Sequence, residues 1–145
     1  ETRSRIDPAN PMRVTRAWEV AQSTGRPLSD WQDNTPPPII PLTNCHPILI
    51  DAPKDWVNKR IERRFDIMLT QGALNEAQRN LATWNPADQS ARAIGAPELI
   101  GHLQGGLGLE EARTLAVTSS RQYAKRQRTW FRARMGKWMP LDPTG

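Results

Sequence analysis

Apolar residues recur at helical spacing through most of this chain, and the pattern breaks where glycine and proline fall. From Pro11 to Thr24, Val14, Ala17, Trp18 and Ala21 lie on one stripe of a 3.6-residue period. Asn10 suits the cap of that helix, Pro11 its first position, and Gly25 with Pro27 its stop. The stripe predicts a buried face, with Arg13 and Arg16 off it. A second helix is expected between Pro53 and Gly72, with Val57, Ile61, Phe65 and Met68 inward. A third follows from Leu74 to Trp84, burying Leu74, Ala77, Leu81 and Trp84. A short helix starts at about Pro97, and the longest runs from Leu109 to Met135. One stretch, Pro47 to Asp51, is short, apolar and branched, and reads as a strand.

These elements make an α/β fold that is mostly helical and short of strands. A single strand leaves its backbone groups unpaired. Either further strands are hidden, or the sheet is incomplete because its partners lie outside these residues. The second case predicts few or no partners for the strand at Ile48 to Ile50. It also predicts unusual exposure of Ile48, Ile50, Val57 and Ile61, and a Glu1 that enters abruptly beside a helix without a cap. Three consecutive prolines, Pro36 to Pro38, forbid helix and set a domain boundary near Asp33 to Pro38. Residues 1–35 and 36–145 are the expected domains.

Charge changes this picture. Twenty Lys and Arg face fifteen Asp and Glu, for a net charge of +5, and the mean hydropathy is −0.67. The balance favours an anionic partner, against the plainer reading of a solvated basic surface. Cys45 is the single cysteine, so no intrachain disulfide forms. No apolar run nears the roughly 20 residues of a membrane span, and the first residues lack an apolar signal core. The chain is expected to be cytoplasmic, without a membrane partner. His46 and His102 have no ligand spacing around them, so no metal site is expected. The glycines from Gly105 to Gly108 do not fit G-x-x-x-x-G-K-[ST], and that motif is absent from these residues, as are H-E-x-x-H and G-x-S-x-G.

The positive charge is concentrated in the last helix. At 100° per residue, Arg121, Lys125, Arg128 and Arg132 fall in one narrow arc, a ridge about 16 Å long. Tyr123, Ala124, Trp130, Phe131 and Trp138 occupy the neighbouring arc and predict a packed apolar face. No Asp or Glu occurs from Thr114 to Leu141, whereas a face kept only for solubility mixes both signs. The ridge therefore points to successive phosphates. A second cluster, Arg60, Arg63 and Arg64, lies in the second predicted helix. Arg60 and Arg64 are one turn apart and suited to gripping phosphate oxygens, while Arg63 is expected to pair with Glu62 or Asp66.

Four stretches, "RIDPANPMRVTRAWEV", "RIERRFDIMLTQG", "RAIGAPEL" and "SRQYAKRQRTWFR", occur here in this order. Together they resemble the C-terminal half of the bacterial tRNA dimethylallyltransferases, also called tRNA isopentenyltransferases, over nearly the whole chain. The resemblance implies a P-loop-type α/β core carrying an inserted helical tRNA-binding domain. Residues 1–35 would end that insertion, and residues 36–145 would be the C-terminal part of the core. It implies transfer of a dimethylallyl group from dimethylallyl diphosphate to N6 of the adenosine just 3′ of the anticodon, with the base flipped into the protein. It implies Mg2+ as cofactor, the tRNA anticodon stem-loop as partner, and an intact protein that works as a monomer.

By the same resemblance, one tRNA-contacting segment falls on Met12, Arg13, Val14, Thr15 and Arg16. Another falls on Arg92 through Pro97, carried by Arg92, Ala93, Ile94 and Gly95, while Ala96 and Pro97 within it depart from the family pattern. The last falls on Lys125, Arg126, Gln127, Arg128, Thr129, Trp130, Phe131 and Arg132, with Arg121 beside it on the ridge. Arg64, or alternatively Arg60, takes the place of the arginine near the leaving diphosphate. The family's phosphate loop, general-base aspartate and magnesium ligands lie in the half that these residues do not include, so a fragment is expected. A stand-alone basic helical RNA-binding module without catalysis is the alternative.

Overall fold

The computed structural model describes residues 2–144. The chain forms two compact units that divide between His46 and Pro47. The expected boundary at 35/36 lies inside the first. The expectation about how Glu1 enters lies outside the described residues.

The first unit holds α1 (Thr2–Arg5), α2 (Pro11–Thr24) and α3 (Leu28–Asp33). α2 begins and ends as its residues dictate. The Asn10 side chain accepts a hydrogen bond from the Arg13 backbone N–H, Pro11 opens the first turn, and Gly25 closes the helix in the left-handed conformation at φ 67°. The α1 and α3 helices meet through the hydroxyls of Thr2 and Ser29, 2.9 Å apart, and through an Arg5–Asp33 ion pair. The stripe on α2, however, is not buried. Trp18 is 63% exposed and Val14 41%, and both border an open groove with Ile6, Pro8, Ala17 and Ala21. Helices of four and six residues are too short to cover a fourteen-residue face. The period marks a face shaped for packing, and the described residues of this unit leave its Val14 and Trp18 uncovered.

The second unit carries the core. It contains β1 (Ile48–Ile50), α4 (Lys54–Thr70), α5 (Ala73–Asn80), α6 (Ala96–Leu103), α7 (Leu109–Met135) and β2 (Met139–Leu141). α4 and α6 pack on α7, and α5 packs on α4 and α6. Phe65, Ala77, Leu99, Ile100, Ala116 and Val117 are buried together. Ile61, Leu69, Leu74, Leu81, Trp84 and Leu103 close around them. Leu69, rather than the expected Met68, takes the last inward position of α4; Met68 is 38% exposed. Gly95 enters α6 at φ 99°, and a Cβ there would stand 3.0 Å from the Phe65 ring. Glycine thus lets the preceding loop close onto the core.

β1 pairs in parallel with β2, Ile48 opposite Met139 and Ile50 opposite Leu141. The strand expected to have few or no partners therefore has one. Met139 to Leu141 escaped the sequence reading because three residues with a central proline carry no strand signal. Ile48 and Ile50 remain 44% and 65% exposed. Parallel strands are ordinarily covered on both faces, and among the described residues this pair stands as a two-stranded sheet. Val57 is half-buried, and Ile61 packs against the core.

Candidate nucleic-acid interface

α7 is one unbroken helix of 27 residues with two different environments along it. Its first turns bury Ala112, Ala116 and Val117. They are tied to α4 by a two-pronged ion pair, in which Arg113 Nε and Nη2 donate to Asp66 Oδ1 and Oδ2 at 2.5 and 2.8 Å. The Arg113 hydrogen bond is the main reason the Asp66 carboxyl sits below its ordinary range. One further link, Arg121 to Glu62, joins the same two helices. The acids expected to pair with Arg63 are thus both taken by α7, because Glu62 and Asp66 face α7 across the core.

Beyond Arg121 the helix leaves the core. The expected apolar face is only partly packed. Ala124, Phe131 and Trp138 are half-buried, while Tyr123 and Trp130 are 50% and 52% exposed. Trp130 meets Phe131 edge-on at 5.3 Å, and Arg126 lies 5.9 Å from the centre of the Tyr123 ring. Gln127 is exposed.

Lys125, Arg128, Thr129 and Arg132 form one wall of an open cavity of about 550 Å³. The segment Asp51 to Lys54, joining β1 to α4, forms the other. Arg132 lies 3.9 Å from the Asp51 carboxylate. Among the described residues, Lys54, Lys125 and Arg128 make no ion pair. The ridge seen on the helical wheel is thus three converging cations, with Arg121 one turn away and already paired. Lys54 went unnoticed in the sequence, since a lysine at a helix start carries no signal until the fold sets it opposite residues some seventy positions later.

The other expected segments are distributed as follows. Met12, Arg13, Val14, Thr15 and Arg16 occupy the exposed start of α2 in the first unit, where Arg16 reaches Glu19 at 3.5 Å. Arg92, Ala93 and Ile94 are exposed on the loop before α6. Gly95 is buried, and its N–H donates to Glu98 Oε2 at 2.9 Å. Glu98 also accepts from Ser119 of α7, so the loop is anchored to the basic helix. On α4, the Arg60 guanidinium stacks over Trp56 at 4.6 Å. Arg64 is exposed and makes no ion pair among the described residues. Both arginines lie roughly 120–160° round the helix from Glu62 and Asp66, the two acids that pair with α7.

No three His, Cys, Asp or Glu side chains gather among the described residues. One carboxylate against four cations is the wrong donor set for a magnesium ion, which takes oxygen ligands. The residues present do not fit that ion. Among the described residues no helix is long and apolar enough to cross a membrane.

A helical unit closed on a long basic helix, with a short two-stranded parallel sheet, is a mostly helical α/β architecture. The IPP transferase family model matches residues 1–134, and the chain belongs to that family. A tRNA dimethylallyltransferase of Dinoroseobacter shibae is 58% identical over 143 residues, covering 99% of this chain and 48% of the relative. Its counterpart in Ruegeria sp. is 54% identical, with 99% and 50% covered. The crystal structure of a tRNA isopentenylpyrophosphate transferase from Staphylococcus epidermidis superposes with a TM-score of 0.63 at 36% identity, over 94% of this chain and 44% of that one. The chain spans about half the length of the curated relatives it matches.

Proposed function

We propose that this chain is the C-terminal half of a cytoplasmic tRNA dimethylallyltransferase. The enzyme moves a dimethylallyl group from dimethylallyl diphosphate to N6 of the adenosine 3′-adjacent to the anticodon. Membership of the family supports the reaction. The observation that carries the role of these residues is the convergence of Lys125, Arg128 and Arg132 on one open cavity. Lys125 and Arg128 make no ion pair among the described residues and Arg132 meets Asp51 only at 3.9 Å; cations so placed on a helix that has left the core suit RNA phosphates.

The reaction is displacement at an allylic carbon by a poor nucleophile, so positioning and stabilisation of the departing charge dominate. In this reading the cations of α7 hold the anticodon stem-loop, and the exposed starts of α2 and of the Arg92 loop hold other parts of the tRNA. Arg64 stabilises the leaving diphosphate. Stacking of Arg60 on Trp56 supports Arg64 as the available one of the two. The phosphate loop, the general base and the magnesium ligands belong to the other half of the protein, which works as a monomer. The 145 residues alone catalyse no transfer.

In the full-length enzyme, Arg64→Ala should raise the barrier of the chemical step by about 2–4 kcal/mol with tRNA affinity little changed. Arg128→Ala should do the reverse, weakening binding and lowering the slope of log K against log salt by roughly 0.7–0.9. Single-turnover rates and binding titrations at several salt concentrations separate the two. An unchanged single-turnover rate removes Arg64 from the reaction, and an unmoved salt slope returns α7 to a merely solvated face.

A further inference from the structure

The cavity beside α7 has a second wall that the family-based reading leaves without a role, and Lys54 is the cation on it. We propose that Lys54 closes on Lys125, Arg128 and Arg132 to clamp a single backbone phosphate of the bound RNA. The proposal rests on the reading of α7 as an RNA-binding helix and adds the opposing jaw.

Several observations converge. The four cations border one cavity although they come from two elements far apart in the chain, the start of α4 and the second half of α7. Asp51 is the one carboxylate on its lining and meets Arg132 only at 3.9 Å, so the lining keeps a surplus of three positive charges. Like charges brought together without a counter-ion repel, and an anion entering between them removes that cost. The neighbouring pair shows the contrast. Arg121, one turn earlier on the same ridge, has Glu62 as its partner, whereas no acid on α4 or α7 is paired with Lys54, Lys125 or Arg128 among the described residues.

Lys54 also has no folding reason to be where it is. It is the first residue of α4, at the end where the helix dipole disfavours a cation and favours an acid such as Asp55, which follows it. Its side chain is exposed and supports no core contact. The volume, about 550 Å³ and open to solvent, is that of a site for a small organic ligand rather than for a lone ion. It leaves room for a phosphate with its flanking sugars.

The test uses the full-length enzyme and an anticodon stem-loop RNA, with dissociation constants measured across a salt series for Lys54→Ala, Arg128→Ala and the double variant. Arg79→Ala, an exposed arginine on α5, controls for net charge. Lys54→Ala should weaken binding and lower the salt slope by roughly 0.7–0.9, as one lost phosphate contact does, with thermal unfolding unchanged. The double variant should lose less than the sum of the single losses, because both side chains hold the same group. Additive losses would place the two cations on separate phosphates and overturn the clamp. An equal effect of Arg79→Ala would reduce it to bulk charge and overturn it too. If Arg128→Ala weakens binding and Lys54→Ala does not, the clamp fails while the RNA-binding reading stands; if neither does, that reading fails with it. A last arm titrates inorganic phosphate at constant ionic strength. Displacement of the RNA from the unaltered enzyme but not from Lys54→Ala would make the cavity a free-anion site and overturn the proposal.

Discussion

The two halves of α7 share one helix and one backbone geometry, yet they are built on opposite rules. From Leu109 to Ser120 the helix is shaped by its neighbours. Small residues, Ala112 and Ala116, are fully buried where α4 and α6 approach, and the one arginine there, Arg113, is neutralised by Asp66. From Lys125 to Met135 the helix is shaped by what is absent from it: no acid is present, the aromatics are half-exposed, and three cations face one cavity. A basic residue thus has opposite meanings fifteen positions apart. What decides the meaning is whether a carboxylate reaches it across the fold.

The largest test of this division is steric. Ala116→Leu inserts a branched side chain where the surface is 0% exposed. Overpacking of this kind costs typically about 1–3 kcal/mol, to be read from denaturant unfolding of the full-length protein. An unaffected stability would mean that the first half is as loosely held as the second.

A smaller effect concerns pH. The Asp66 carboxyl is held below its ordinary value by the Arg113 hydrogen bond. A depressed carboxylate stabilises the fold above its unfolded value of about 3.9 and loses that contribution as pH falls through the folded value. Unfolding midpoints measured from neutral pH downward should therefore drop more steeply below about pH 4 for the unaltered protein than for Asp66→Asn. The variant should be the weaker of the two at neutral pH, with tRNA binding unaltered. Parallel pH curves would remove Asp66 from the account of the structural half.

The smallest effect locates the border between the halves. Glu62→Gln releases Arg121 from its pair. A freed Arg121 joins the ridge, and RNA binding at low salt should tighten by less than about fivefold, the scale of one exposed pair. No change in affinity would assign Arg121 to the structural half.

Much of this architecture is legible in the residues. The ends of α7 follow from Gly108 before it, Glu110 and Glu111 in its first turn and Gly136 after it, and α2 is bounded by Asn10, Pro11 and Gly25 as expected. Local chemistry determines such ends, so local sequence reveals them. The basic ridge is legible for the same reason, being a matter of spacing on one helix. What stays hidden is every property set by distant partners. Arg121 and Glu62 are 59 positions apart and Arg113 and Asp66 are 47 apart, so no periodicity distinguishes these paired arginines from Arg128. The apolar stripe of α2 is visible, but its exposure is not, because a stripe reports a face and not what covers it. Tyr123 and Trp130 fail as expected packing residues on the same ground.

Pro140 has a consequence for how the sheet can extend. In the β1–β2 ladder, Met139 donates its N–H to Pro47 and Leu141 accepts from Asp51, each at 3.0 Å. Alternate residues of a strand turn their backbone groups to opposite edges, so position 140 addresses the far edge of β2, and a proline there has no N–H to offer. That edge is chemically blunted, as edge strands often are. On β1 the backbone groups of Ile48 and Ile50 point the other way, with a donor and an acceptor at each. The two edges of the sheet are therefore unequal: the outer edge of β1 offers a donor and an acceptor at both Ile48 and Ile50, and the outer edge of β2 lacks the donor at Pro140.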